Sequence, residues 1–222
     1  MGQGISEVLT FAIGVAISPV PIIAVILMLF SARARVNGPV FLLGWVSALA
    51  VVSVVVYVVS GESNASTSNT SSDTISWGKI VLGVLFLLLA VREWRSAAGV
   101  EPEMPKWMAG VDTLTPGKSF GLGLLLAGLN PKNLILTAGA AAGVAQLGIS
   151  TTDAVVSLIV FVVVASLSIA GPVLYHLLGG EHARTQLEEL KGWLGMHNAA
   201  VMTVLLLVFG VALIAKGIGL LS

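Results

Sequence analysis

The chain contains no cysteine, which excludes disulfides, thiolate metal ligands and paired-thiol electron transfer. Charge is scarce as well. Only 10% of residues are Asp, Glu, Lys or Arg, against about 25% in a soluble domain. The 11 basic residues balance 11 acidic ones. With zero net charge and no Lys/Arg cluster, the electrostatic footprint of a nucleic-acid binder is missing. The three histidines, His176, His182 and His197, lack ligand spacing on one helix, and neither a GxSxG elbow, a phosphate loop nor a zinc motif occurs. We therefore expect no enzyme, no metal and no cofactor. The opening Met1-Gly2-Gln3-Gly4 has no basic stretch before the apolar run from Ile5, so a cleavable signal peptide is not expected.

What fills the chain is apolar. Hydrophobic residues make up 56% and the mean hydropathy is +1.00, the composition of an integral membrane protein. Six runs approach the roughly twenty residues that a span requires: 5–30, 40–60, 77–97, 118–146, 152–178 and 198–220. The first and fourth are overlong, since an unbroken helix of that length would overshoot a hydrocarbon core of about 30 Å. Each is interrupted near its middle, by Ser18-Pro19-Val20-Pro21 and by Asn130-Pro131-Lys132-Asn133. Ser18 and Asn130 are good N-caps placed directly before proline, the residue most at home in a first helical position. They lie 112 positions apart in a chain of 222 residues. Paired breaks at corresponding places in two halves point to the binding site of a repeat-built transporter. The expected fold is an all-α integral membrane protein. Its six transmembrane helices form two inverted three-helix repeats, 1–110 and 111–222, with the first and fourth helices broken at the midplane.

Lys and Arg orient the spans. Arg33, Arg35, Arg92, Arg95, Lys106, Lys118, Arg184 and Lys191 fall on one side, while Lys79 and Lys216 fall on the other. Both termini are therefore expected outside the cytoplasm. Gly61–Ser76, rich in Ser, Thr and Asn, reads as a flexible outer loop. On the cytoplasmic side, Glu181–Leu194 sets Leu187, Leu190 and Leu194 opposite Arg184, Glu188 and Lys191, with Trp193 near the apolar side. That pattern predicts an interfacial amphipathic helix, and Trp107 reads as a second interface anchor.

The breaks carry the chemistry. A proline within a helix frees a carbonyl four residues earlier, and unwound backbone at membrane depth survives only inside protein or beside water. Ser18 and Asn130 are expected to cap the second half-helix of each broken span. Two helix N-termini, each equivalent to about half a positive charge, would then lie near the bilayer centre. Lys132 adds a full charge and is the sole basic residue deep in a span, with no acidic residue near a midplane. Three uses are open to it: contact with a phosphate, sulfate or carboxylate, proton exchange, or bonding to freed carbonyls as a structural lock. Asn133 shares its turn. Ser47, Ser53, Ser166 and Ser168, with Pro172, read mainly as packing positions in matching helices. Gly139-Ala140-Ala141-Ala142-Gly143 is a small-residue face suited to close helix contact, within the fold or between protomers of a homodimer.

Six spans with a Ser-Pro-x-Pro break in the first and Asn-Pro-Lys-Asn in the fourth resemble the lysine exporter (LysE) superfamily. Within it they are most similar to the GAP branch, also called Sap or sulfolipid-addressing proteins. The resemblance covers nearly the whole chain and implies a small actinobacterial inner-membrane protein linked to export of cell-envelope glycolipids. It also implies that Pro19, Pro21, Asn130, Pro131 and Lys132 form the central site. Taken together, Ser18, Pro19, Pro21, Asn130, Pro131, Lys132 and Asn133 are the expected substrate-binding residues. The expected function is an alternating-access exporter of an anionic or polar-headed amphiphile, such as a glycolipid or lipid phosphate, in a bacterial plasma membrane. Its partners would be membrane lipids and that substrate. Two alternatives remain: a proton-coupled exporter of a small solute or ion, and a non-transporting scaffold that recruits envelope-synthesis proteins.

Overall fold

The computed structural model describes residues 2–66, 71–97, 110–111 and 113–219. Among them the chain is helical throughout, with no strand. The helices are α1 (Gly2–Ala16), α2 (Pro19–Leu29), α3 (Ala34–Ser66), α4 (Ser71–Ala97), α5 (Pro116–Gly128), α6 (Pro131–Gln146) and α7 (Thr151–Gly217). Three segments, Ala34–Gly61, Thr151–Gly179 and His182–Gly217, are long and apolar enough to cross a membrane. Helices α1 and α2 add a fourth when taken as one span bent by 56°. The protein is membrane-embedded, and the first expected break lies at that bend. The second lies between α5 and α6.

Two compact units emerge, residues 1–62 with 105–193, and 63–104 with 194–222. In the first unit, α1 packs along α6. A Cβ on Gly139 would lie 2.9 Å from the Phe11 ring, and one on Gly143 would lie 2.8 Å from the Glu7 carboxylate. Positions descend along α1 as they ascend along α6, so the two helices run antiparallel. The small-residue face of α6 is thus used within the fold, against α1. Helices α3 and α5 cross at a second close approach. A Cβ on Gly123 would collide with the Phe41 carbonyl, and one on Gly44 with the Phe120 carbonyl. Glycine at both positions lets the backbones touch, as tightly packed membrane helices require. Phe41, Trp45 and Leu49, spaced four apart on α3, are fully buried beside this crossing.

In the second unit α4 meets the last part of α7 through another glycine pair. A Cβ on Gly83 would sit 2.7 Å from the Gly210 carbonyl, and one on Gly210 would sit 2.9 Å from that of Gly83. Phe86, Leu206, Phe209 and Leu213 are buried around it.

Two sequence expectations are corrected. Gly61–Ser76 is not a loop throughout: α3 continues to Ser66 and α4 begins at Ser71. Once a helix is nucleated each added residue gains a hydrogen bond, which extends it into a Ser-rich stretch. Nor has Glu181–Leu194 helix ends of its own: it is helical, as expected, but continuous with α7. That helix turns sharply at Gly179. The Tyr175 hydroxyl reaches Oε1 of Gln186 at 2.6 Å, although eleven straight helical residues rise about 16 Å. A Cβ on Gly179 would lie 2.8 Å from that of Ala183, so the bend depends on glycine. Beyond it Ala183 and Leu187 are buried while Leu190 is 39% exposed. The Arg184 guanidinium and the Lys191 ammonium lie 5.6 and 5.3 Å from the centre of the Phe30 ring, holding this stretch against the end of α2. Trp107 lies outside the described residues.

Candidate functional site

Backbone accounting explains how the first break is held. Pro19 and Pro21 have no N–H, so the carbonyls of Val15 and Ile17 lose their helical donors. The Ser18 N–H turns to the Ala16 carbonyl at 2.9 Å, which also releases the carbonyl of Gly14. Side-chain donors stand within reach of all three. Lys132 Nζ donates to the Gly14 carbonyl at 2.8 Å and to the Ile17 carbonyl at 2.8 Å. Ser18 Oγ lies 2.7 Å from the Val15 carbonyl. The third ammonium proton goes to Ser18 Oγ at 2.7 Å.

The second break is tied to the first by the same residues. Asn133 Oδ1 lies 2.9 Å from Ser18 Oγ, whose single proton serves this oxygen or the Val15 carbonyl. Asn133 Nδ2 donates to the Leu126 carbonyl at 3.1 Å, near the end of α5. Asn130 Oδ1 accepts from the Lys132 N–H at 3.1 Å, the N-cap bond that the sequence predicts. Ser18, Lys132 and Asn133 are all buried, with Lys132 only 5% exposed. The structure therefore brings Ser18, Lys132 and Asn133 into one hydrogen-bonded knot, with Asn130 at its edge. Pro19 and Pro21 are buried beside it, whereas Pro131 is exposed. The surface over the second break is apolar: Leu125 is 51% exposed and Leu129 is 69% exposed.

Ser18 departs from expectation. Its backbone is extended as an N-cap's should be, but its side chain makes no cap bond. An N-cap accepts from the second or third helical N–H, and here the third position is Pro21. The Val20 N–H at the second position remains, yet the hydroxyl accepts from Lys132 and lies within bonding distance of the Val15 carbonyl and Asn133 Oδ1 instead. A second departure is electrostatic. Lys132 stands at the N-terminus of α6, yet its ammonium reaches the carbonyl end of α1, where a helix carries about half a negative charge. Its charge is thus partly compensated within the fold. Among the described residues no carboxylate pairs with it.

The decisive comparison is at the level of family. The family model for Sap, sulfolipid-1-addressing protein, matches residues 8–219. The chain belongs to this family. No curated protein and no solved structure matches it. The match to the Sap family spans both breaks and everything in the knot, and membership points to a role in lipid addressing.

Of the three uses open to Lys132, bonding to a carbonyl freed by proline is the one this geometry displays. Counting four residues back from Pro21 leads to Ile17, the carbonyl that Lys132 takes. Among the described residues no group of three His, Asp or Glu side chains is placed to hold a metal ion. Ser53, Ser166 and Ser168 have buried hydroxyls without partners, and none joins the knot.

Proposed function

We propose that this Sap-family protein exports an anionic or polar-headed amphiphile, a sulfolipid-like or phosphate-bearing lipid, across a bacterial plasma membrane without catalysing a reaction. The observation that carries this reading is the buried Lys132 ammonium, saturated by three acceptors where two half-helices begin. The knot is the closed state. An anionic headgroup that takes the ammonium from the Gly14 and Ile17 carbonyls would gain a full charge and two helix N-termini. It would leave those carbonyls to water or substrate hydroxyls. Binding and unlocking are then one event, and the headgroup's differential affinity for the open state drives the change.

Lipid is favoured over a soluble solute by the surface outside the second break. Leu125, Leu129 and Pro131 present apolar, exposed atoms, a lateral boundary that acyl chains can occupy while the headgroup enters. On this reading α4 and the α5–α6 pair complete six spans, arranged as inverted repeats over 1–110 and 111–222. The two halves would rock about the paired breaks, and the Lys/Arg asymmetry would place both termini outside the cytoplasm. The wider LysE-like transport mechanism belongs to the same proposal.

The test is mass spectrometry of lipids and metabolites copurifying with wild type and Lys132→Gln. A glycolipid or phospholipid enriched in wild type and lost from a folded variant supports headgroup binding at the knot. Loss of a small soluble solute instead transfers the site to solute export, and identical profiles leave Lys132 a structural lock.

A further inference from the structure

A second cationic site lies at the other end of α2. A pocket of about 450 Å³ opens where α2 turns into α3, bordered by Phe30, Arg33, Arg35, His176 and Arg184. Three arginines from two separate stretches of chain border it. Arg33 and Arg35 come from the turn and the first residues of α3, and Arg184 comes from the stretch beyond the bend in α7. Like charges brought together repel, and among the described residues none of the three has a carboxylate partner. The one nearby acid–base pair neutralises Lys191, whose ammonium is 3.8 Å from Glu188. Arg184 is instead held over the Phe30 ring, a contact that leaves its charge without a carboxylate among the described residues. Residues Ala34 to Val36, the positive end of α3, also line the opening. His176 Nδ1 is buried without a hydrogen-bond partner.

We infer that this pocket binds an anion, namely the phosphate or sulfate group of a lipid headgroup or of a free oxyanion. Guanidinium groups bind tetrahedral oxyanions through paired, charge-assisted hydrogen bonds, and three of them suit a group with several acceptor oxygens. The pocket is separate from the knot: the eleven residues of α2 hold the two about 16 Å apart at 1.5 Å per residue. Its existence does not rest on the function proposed for Lys132. If that function holds, the pocket is where a headgroup is captured before it reaches the break.

Native mass spectrometry of the purified full chain tests this, using phosphatidylglycerol in phosphatidylcholine micelles as the lipid probe and inorganic phosphate and sulfate as free-ion probes. The triple variant R33Q/R35Q/R184Q should retain phosphatidylglycerol about tenfold less than wild type or worse, the scale of lost charge-assisted bonds. The variant R92Q/R95Q removes exposed charges of α4 and should retain it as wild type does. Displacement of the lipid by free phosphate or sulfate would mean that the oxyanion alone is recognised. Lipid lost from the triple variant but not displaced would mean that the membrane supplies the ligand. Equal retention in the triple variant and R92Q/R95Q overturns the inference. Should the triple variant fail to fold, R184Q alone, at an exposed position, must still lower retention below that of R92Q/R95Q.

Discussion

Lys132 Nζ bonds to the carbonyl of Ile17 at 2.8 Å, the carbonyl that Pro21 deprives of its helical donor. Two features separated by more than a hundred residues thus complete one another. Proline creates an orphan acceptor at a buried break, and a lysine from the opposite half of the chain fills it.

Replacing the proline should uncouple the two. In Pro21→Ala an N–H returns to position 21, able to donate to the Ile17 carbonyl or to the Ser18 hydroxyl oxygen. The fold should be retained or stabilised, because Lys132 keeps two of its three acceptors. The α1–α2 bend should straighten below its 56°, read as a longer spin-label distance between the ends of α1 and α2. Copurified lipid should fall if an openable knot is required; unchanged distance and lipid would remove Pro21 from the mechanism.

Lys132→Met removes the ammonium and strands the Gly14 and Ile17 carbonyls. Hydrogen bonds to charged groups contribute about 1.5–3 kcal/mol each, offset by relief of the burial penalty on the charge. A net loss of about 2–4 kcal/mol in detergent unfolding is expected from breaking such a buried network. A variant as stable as wild type would mean that the knot does not hold the breaks together.

The α3–α5 crossing makes a packing prediction. Gly123→Ala should cost about 1–3 kcal/mol, the range for overpacking, since its methyl group meets the Phe41 backbone. Gly121→Ala, two residues away on α5, meets nothing within 4 Å and should be neutral or slightly stabilising through helix propensity. Thermal unfolding of the two variants side by side decides this, and equal midpoints would contradict the crossing.

Phe30→Leu keeps an apolar side chain but withdraws the ring face from Arg184 and Lys191. Each contact is worth about 0.5–1 kcal/mol at an exposed site, so global stability should change little. Amide exchange across 182–193 should accelerate several-fold relative to α1, a local loosening of the kind set by few tertiary contacts. Unaltered exchange would assign the docking of this stretch to Leu187 and Ala183 alone.

Much of this was written in the sequence. The breaks were visible from Pro19, Pro21 and Pro131 because proline's missing donor is a covalent property that no environment alters. The Asn130 cap was visible because the donor it accepts from, the Lys132 N–H, lies two residues away. The helical segments followed from apolar runs alone, since a lipid solvent leaves few options for backbone polar groups. The role of Ser18 was misread because a local rule assigned it a cap, whereas its side chain turns to Lys132 and Asn133, more than a hundred residues away. Gly44 and Gly123 announced close packing only after their mutual approach was known.

By itself, the sequence determined that this is a membrane protein with two proline breaks in corresponding places and one lysine beside the second. Those facts depend on composition and on covalent chemistry within a few residues. Only the tertiary structure decided what the lysine touches, that its charge faces the carbonyl end of α1, and that Arg33, Arg35 and Arg184 share one pocket. Each of these joins residues far apart in the chain. Hydrogen-bond partners and electrostatic neighbours are set by distances of a few ångströms, which sequence separation does not encode.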